Sequence, residues 1–177
     1  MRLFVALDLP ESIRTELAGL GLNAARGIRP VSPDQMHITL HFLGDIDAGQ
    51  VQQALGAVGC APLRVSLNGV GRFRLNGGRA VLWAGVQATD ELLELHAACE
   101  RALRAIGYRP ERRRYMPHVT LARLQPFADK SVLDAFLSAS EDRNFGSFVA
   151  ERFVLYNSVN KEDGARYEVV ASWPLRA

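Results

Sequence analysis

The sequence predicts an α+β fold, with two lobes whose mostly antiparallel strands line a central cleft and whose helices lie on the outside. Three observations predict it. Segments typical of strands and helices interleave throughout, the length of 177 residues suits a single domain over 1–177, and one short motif recurs 81 positions later. We therefore expect a pseudo-symmetric duplication in which each lobe supplies one copy of the motif.

The first half of the chain predicts alternating strands and helices followed by a hairpin. Pro10 suits the start of a helix, and Asn76-Gly77-Gly78 suits a tight turn between two strands. The predicted elements of this half are a strand at 2–9, a helix that opens over 9–12 and continues to about 25, a strand at 37–43, a helix at 48–58, a strand at 63–70 and a hairpin over 73–86.

The second half predicts a similar alternation. Thr89 suits the N-cap of a helix whose apolar side chains recur at helical spacing, and a loop over 107–117 separates this helix from the next strand. The predicted elements of this half are a helix at 89–106, a strand at 118–124, a helix at 129–137, and strands at 148–159 and 167–173.

Composition excludes several classes of protein. An apolar fraction of 48% with 23% charged residues is ordinary for a folded domain, and no run approaches the about 20 apolar residues that span a bilayer. Cys60 and Cys99 lie far apart, which indicates neither a disulfide framework nor a zinc site. Because the N-terminal apolar segment is also too short for a secretory signal, we expect a cytoplasmic protein. We also expect it to be a monomer.

The basic residues are strongly biased. Of 21 basic side chains, 19 are arginine, and the net charge is only +2. The planar guanidinium binds phosphate oxygens in a bidentate manner, so the bias favours a phosphoester ligand, although a genome rich in G+C gives the same excess. No nucleotide-binding glycine motif or Walker lysine occurs, and we expect no cofactor.

The recurring motif carries the chemistry. His37-Ile38-Thr39-Leu40 matches His118-Val119-Thr120-Leu121. Since alternate side chains of a strand share a face, each copy presents one histidine and one threonine together while its apolar residues enter the core. One copy alone would favour an amphipathic strand without catalytic function. Two copies in similar contexts favour a paired site.

Two histidines and two threonines suit phosphodiester cleavage. Histidine has an unperturbed pKa of about 6.5, so one ring can be neutral and the other protonated near neutral pH. The neutral ring would activate water, and the protonated ring would donate to the departing ribose oxygen. The threonine hydroxyls would hold the phosphate and stabilise its growing charge.

With these motifs, the sequence resembles the 2H phosphoesterase superfamily, and within it the RNA 2′,3′-cyclic phosphodiesterases, historically called 2′-5′ RNA ligases. The resemblance covers nearly the whole chain. It is carried by residues 2–7, 36–44, 81–83 and 117–123, and by Ser158, Gly164 and Tyr167.

The resemblance implies hydrolysis of a 2′,3′-cyclic phosphate on RNA or a nucleotide to a 2′-phosphomonoester without a metal. It implies that His37 is the general acid and His118 the general base, and that Thr39, Thr120 and Arg123 bind the phosphate. Strand alternation places Arg123 on the face opposite Thr120. Its side chain must therefore pass around the strand end, or a β-bulge must re-aim it.

Two other functions are compatible with the same motifs. An RNA 5′-hydroxyl could replace water as the nucleophile, which would make the protein a 2′-5′ RNA ligase. Alternatively, the cleft could bind RNA ends without turnover.

Several further residues have two interpretations. His41 shares the His37 face by strand alternation and could line the cleft, although a histidine at a strand end is more often partly solvated. Phe42 and Trp83 could stack on a nucleobase, but their apolar strands favour packing in the core. Residues 112–114 could guide an RNA backbone with Tyr115 as a platform for a base, or they could form a solvated loop. The sequence departs from the resembled family at Arg29-Pro30, where an aromatic residue often follows the arginine.

Overall fold

A computed structural model describes all residues from Met1 to Ala177. Its helices are α1 (Glu11–Ala18), α2 (Ala48–Leu55), α3 (Asp90–Arg104) and α4 (Lys130–Ser140), with short 3₁₀ turns at Pro33–Gln35 and Asn76–Gly78. Its strands are β1 (Leu3–Asp8), β2 (Ile28–Pro30), β3 (His37–Gly44), β4 (Leu63–Arg74), β5 (Ala80–Val86), β6 (His118–Leu124), β7 (Asn144–Ala150), β8 (Arg152–Lys161) and β9 (Gly164–Pro174).

The nine strands form one sheet in the order β7-β4-β5-β6-β3-β1-β8-β9, with β2 paired to β6. Every pairing is antiparallel, which confirms the predicted α+β class. The two motif strands β3 and β6 are neighbours at the centre. They are joined through a single residue pair, Ile38 with Val119.

The sheet has four main strands on either side of this junction. Outward from the centre they are β3, β1, β8 and β9 on one side, and β6, β5, β4 and β7 on the other. The β4–β5 hairpin follows the first motif along the chain but lies on the side of the second motif. Strand alternation specifies which face a residue occupies, but it does not specify the neighbouring strand. The matched order fits the duplication, which stays a prediction.

The core lies on the face of the sheet opposite the motif histidines. Ile38 and Val119, which separate the polar residues of the two motifs, belong to a single cluster of 33 buried apolar residues. The same cluster contains Leu17 of α1 and Leu95 of α3, so the helices cover this face. No helix in the molecule has both the length and the apolar composition required to cross a lipid bilayer.

Several predicted boundaries are wrong. Helix α1 ends at Ala18 instead of continuing to about residue 25, because Gly19 closes it and Gly21 then adopts a φ of 70°. The strand predicted for 148–159 is two strands, β7 and β8, separated by Glu151. These two strands belong to different halves of the sheet, so the chain changes partners there.

Candidate active site

The four polar motif residues meet where β3 and β6 join. Ile38 lies opposite Val119 in antiparallel register. This register brings His37 next to Thr120 and Thr39 next to His118, all on the face away from the core. The structure therefore brings together the two histidines and two threonines that the sequence singled out, and we call this group the histidine site.

Both imidazole rings are oriented by the same backbone contact. The Nδ1 atom of His37 lies 2.8 Å from the carbonyl oxygen of Gln35, and that of His118 lies 2.9 Å from the carbonyl oxygen of Met116. Because a carbonyl oxygen can only accept, each Nδ1 carries the proton. Each neutral ring therefore has an Nε2 lone pair available for proton transfer.

The two Nε2 atoms have different neighbours. In His37, Nε2 lies 3.0 Å from the hydroxyl of Thr39, which donates to it when the ring is neutral. His118 has no corresponding bond to Thr120. Its ring instead lies edge-on to Phe73, with 5.0 Å between the ring centroids.

Aromatic side chains enclose His37. Phe4 lies 4.9 Å from the ring, measured between centroids, Tyr167 lies 5.2 Å away and edge-on, and Tyr156 lies 6.5 Å away. No pattern in the sequence predicts that Phe4 or Tyr156 lies beside His37. Alternation within β1 could have placed Phe4 on this face, but only once the pairing of β1 with β3 was known.

Burial lowers the pKa of both histidines. For His37, desolvation is the largest cause, the hydrogen bond to the Gln35 carbonyl opposes it, and the positive charges of His118 and Arg123 lower the pKa further. For His118, desolvation is again the largest cause, and the bond to the Met116 carbonyl opposes it. The site therefore favours neutral rings until a negatively charged phosphate is present.

Each motif strand carries a β-bulge immediately after its threonine. Leu40 in β3 and Leu121 in β6 have no opposite residue in the neighbouring strand. The residues before and after each leucine are paired with two consecutive residues of that strand. The two bulges occupy the same position in the two motifs. An extra residue reverses the alternation, so every side chain beyond it changes face.

The bulge at Leu121 places Arg123 on the face of the histidine site. This is the second of the two routes that the sequence allowed. The arginine is exposed, and its charge is close enough to His37 to lower the pKa of that ring. Arg123 therefore joins the residues predicted to bind phosphate.

The bulge at Leu40 turns His41 away from the face of the histidine site. The expectation that His41 shares the His37 face is wrong, since His41 is only 4% exposed and its Nε2 donates to the His96 carbonyl oxygen at 2.9 Å. Phe42 emerges instead on the site face with 64% exposure, so its predicted place in the core is also wrong.

Tyr115 connects the two motifs from the core side. Its hydroxyl donates to the carbonyl oxygen of Thr39 at 2.8 Å, next to the bulge, and its ring stacks on His96 at 3.9 Å. Because one ring face and the hydroxyl are engaged in these contacts, Tyr115 is not a platform for a base. It ties the segment that leads into His118 to the strand that carries His37.

A second cluster of possible metal ligands lies behind β3. Ligand atoms of His41, His96 and Glu100 lie within 4.8 Å of one another. However, the two imidazole rings stack at 4.1 Å with 25° between their planes, and a metal in the plane of one ring would lie outside the plane of the other. The Nε2 of His41 is also engaged with a carbonyl oxygen. The cluster is therefore a hydrogen-bonded stack.

A cavity of about 620 Å³ adjoins the histidine site. Neither histidine lines it, but two of its lining residues adjoin the histidine site: Arg123 lies on the same face, and Tyr167 packs edge-on against His37. The other charged residues of its wall are Arg29, Asp34, Asp163 and Arg166. A polar ligand held at the histidines could extend into this space.

Known proteins are similar to this chain in sequence and in fold. Residues 9–162 match the model of the 2′-5′ RNA ligase superfamily. An RNA 2′,3′-cyclic phosphodiesterase of Methanocaldococcus jannaschii is 31% identical over 98% of this chain and 100% of that protein.

Solved structures agree with these sequence matches. A crystal structure of a Thermus thermophilus protein has a TM-score of 0.81 and 31% identity, over 99% of this chain and 98% of that one. E. coli LigT complexed with 3′-AMP has a TM-score of 0.78 and 26% identity, over 98% and 97% of the two chains.

The chain belongs to the 2′-5′ RNA ligase superfamily, which confirms the resemblance to the 2H phosphoesterases. It is an enzyme of the phosphodiesterase class.

Proposed function

We propose that the protein hydrolyses 2′,3′-cyclic phosphates at RNA ends to 2′-phosphomonoesters by metal-independent acid and base catalysis. One observation carries the proposal: His37 and His118 meet across one strand junction, and each is oriented so that Nε2 is available for proton transfer. The names of the relatives and the binding of 3′-AMP by E. coli LigT support it.

The proposed reaction is an in-line displacement at phosphorus. His118 accepts a proton at Nε2 from water as the water oxygen bonds to phosphorus. The bond between phosphorus and the ribose 3′ oxygen then breaks, and protonated His37 donates its Nε2 proton to that oxygen. The products are a 2′-phosphate and a free 3′-hydroxyl. The division of labour between the two histidines follows the family resemblance.

The phosphate itself would be held by Thr39, Thr120 and Arg123. The hydroxyls and the guanidinium can donate to the non-bridging oxygens, on which charge grows as water adds. When the phosphate binds, Thr39 can turn its hydroxyl from the Nε2 of His37 to an oxygen. The negative charge of the phosphate would also raise the pKa of His37 and favour the protonated ring that a general acid needs.

The test is incubation of an oligonucleotide that ends in a 2′,3′-cyclic phosphate, with and without EDTA, followed by identification of the product. We expect a 2′-phosphate at the same rate in both samples. A 3′-phosphate would reverse the assignment of the leaving group, and inhibition by EDTA would contradict metal independence. Tight binding without product at any pH would favour the non-catalytic RNA-end binding module.

A second candidate is 2′-5′ ligation, which the superfamily name favours. An RNA 5′-hydroxyl would replace water at the same phosphorus, and the 3′ oxygen would leave as before. Addition of a 5′-hydroxyl RNA to the same assay distinguishes the two reactions. We expect hydrolysis to exceed ligation, because water competes for an exposed phosphorus at far higher concentration; a predominant 2′-5′ linked product would favour the ligase.

A further inference from the structure

Two arginines lie side by side at the boundary between the histidine site and the cavity. Strand β2 pairs Arg29 directly with Arg123 of β6. Residues opposite each other in an antiparallel pair point to the same face. Because the bulge in β6 places Arg123 on the site face, Arg29 extends that face outward by one strand.

These two charges have no acidic partner. Arg29 and Arg123 form no salt bridge, whereas Arg166, which lines the same cavity, is paired with Asp163 at 2.8 Å. Like charges directly opposite each other in a sheet are destabilising unless something neutralises them. The unpaired positive charge of the cavity thus belongs to Arg29 and Arg123.

We propose that Arg29 and the adjoining cavity bind the phosphate on the 5′ side of the terminal nucleotide, and so select oligonucleotide ends over mononucleoside cyclic phosphates. This inference rests on the proposed function, because it assumes that the terminal phosphate occupies the histidine site. Arg123 lies on the face of the histidine site and also lines the cavity, so a ligand held at the histidines extends past Arg123 into the cavity. The next phosphate of the chain then reaches Arg29.

The lining of the cavity favours a phosphate over a base. Of its 12 residues, only Tyr167 is aromatic, and Tyr167 already packs edge-on against His37. Single-stranded nucleic acid is bound by aromatic platforms for its bases and by basic residues for its backbone. A wall of arginines and other polar side chains provides the second kind of contact. An unpaired guanidinium is well suited to a phosphate diester.

The experiment compares two adenosine ligands by titration calorimetry: adenosine 2′-monophosphate and adenosine 2′,5′-bisphosphate, which differ only in the 5′ phosphate. In the wild-type protein we expect the bisphosphate to bind at least about tenfold more tightly, as a charge-assisted contact to phosphate implies. In Arg29→Gln the ratio should fall to about twofold or less. Arg29 is exposed and makes no side-chain hydrogen bond, so the variant should fold.

Arg101→Gln is the matched control, because it removes the same charge from an exposed position on α3 and should keep the wild-type ratio. Equal affinity of the wild-type protein for the two ligands would overturn the proposal. A wild-type ratio that persists in Arg29→Gln would also overturn it. The measurement needs no turnover, so its outcome is separate from that of the cyclic-phosphate assay.

Discussion

The two motif strands share the His-x-Thr-Leu sequence and the same backbone features, yet their surroundings differ. Both histidines donate Nδ1–H to the carbonyl two residues earlier, and both strands bulge after the threonine. His37, however, is enclosed by aromatic rings and bonded to Thr39, whereas His118 has one aromatic neighbour, Phe73, and no bond to its threonine. The repeated motif supplies matching geometry, and the neighbouring strands make the halves unequal.

The equivalent positions beyond the two bulges show the same inequality. Each bulge turns the second following residue to the site face, and that residue is Phe42 in one half and Arg123 in the other. The same backbone device thus presents an apolar side chain in one half of the site and a cation in the other, and the charge of that cation acts on His37. A near-symmetric frame can bind an asymmetric substrate in this way, because only one half carries a guanidinium at this position.

The largest expected effect comes from replacing the histidines. We expect His37→Asn and His118→Asn each to lower kcat on a cyclic-phosphate oligonucleotide by about 10²–10⁴-fold, as loss of a general acid or base does. A p-nitrophenyl phosphodiester separates the two roles, since nitrophenolate leaves without protonation. On that substrate the loss should be much smaller for His37→Asn than for His118→Asn, as steady-state rates would show.

His96→Gln serves as the control, because its ring lies behind β3 and faces no substrate. It should retain most of the activity on both substrates. If the aryl substrate instead rescued His118→Asn, the two roles would be exchanged. Equal losses on both substrates for both variants would contradict the division into acid and base.

A smaller effect is expected from Tyr115→Phe. This change removes only the hydroxyl that donates to the Thr39 carbonyl at 2.8 Å, and so loosens the link between the two motifs. We expect kcat to fall by about tenfold with little change in KM, because a small misplacement of catalytic groups affects the transition state most. Tyr108→Phe is the matched control, since its hydroxyl makes only a 3.4 Å contact to His41. Equal effects of the two variants would contradict a positioning role for Tyr115.

The pH dependence of kcat/KM should reflect the lowered pKa values of both histidines. The base must be neutral and the acid protonated in the reactive form, and kcat/KM reports the pKa values of the free enzyme. Since both lie below the ordinary 6.5, we expect a bell-shaped profile with its maximum on the acid side of that value. Arg123→Gln removes one cause of the low pKa of His37 and should move the alkaline limb upward. A maximum above pH 7 in the wild-type enzyme would contradict this account.

Sequence patterns correctly predicted the features that depend only on the alternation of side chains along one strand. They failed for features that depend on how that strand pairs with its neighbour. The faces of His37, Thr39, His118 and Thr120 follow from the period of a strand alone. The positions of His41 and Phe42 do not, because a bulge is defined by the partner strand and leaves no mark within the motif itself.

Long-range contacts explain the remaining failures. Strand β2 is three residues long and contains a proline, so nothing in its own sequence distinguishes it from a loop; it exists because β6 offers a free edge there. The tie between Tyr115 and Thr39 spans 76 positions and likewise has no local pattern. Arg123 was found through family resemblance, and the bulge explains how it reaches the site.

The smallest expected effect concerns stability and sharpens the contrast between the two sides of β3. On the core side, burial and the positive charge of His41 lower the pKa of His96 to about 4. The folded protein therefore binds fewer protons at this ring than the unfolded chain, whose histidine titrates near 6.5. The resulting stability is present above pH 6.5 and is lost as the pH falls from there towards 4. Urea unfolding at pH 7 and pH 4.5 should show a smaller pH-dependent loss for His96→Gln than for the wild-type protein, whatever the variant's stability at neutral pH. An equal loss in both proteins would show that the stack of His41, His96 and Tyr115 does not respond to protonation, and that acid sensitivity arises elsewhere in the fold.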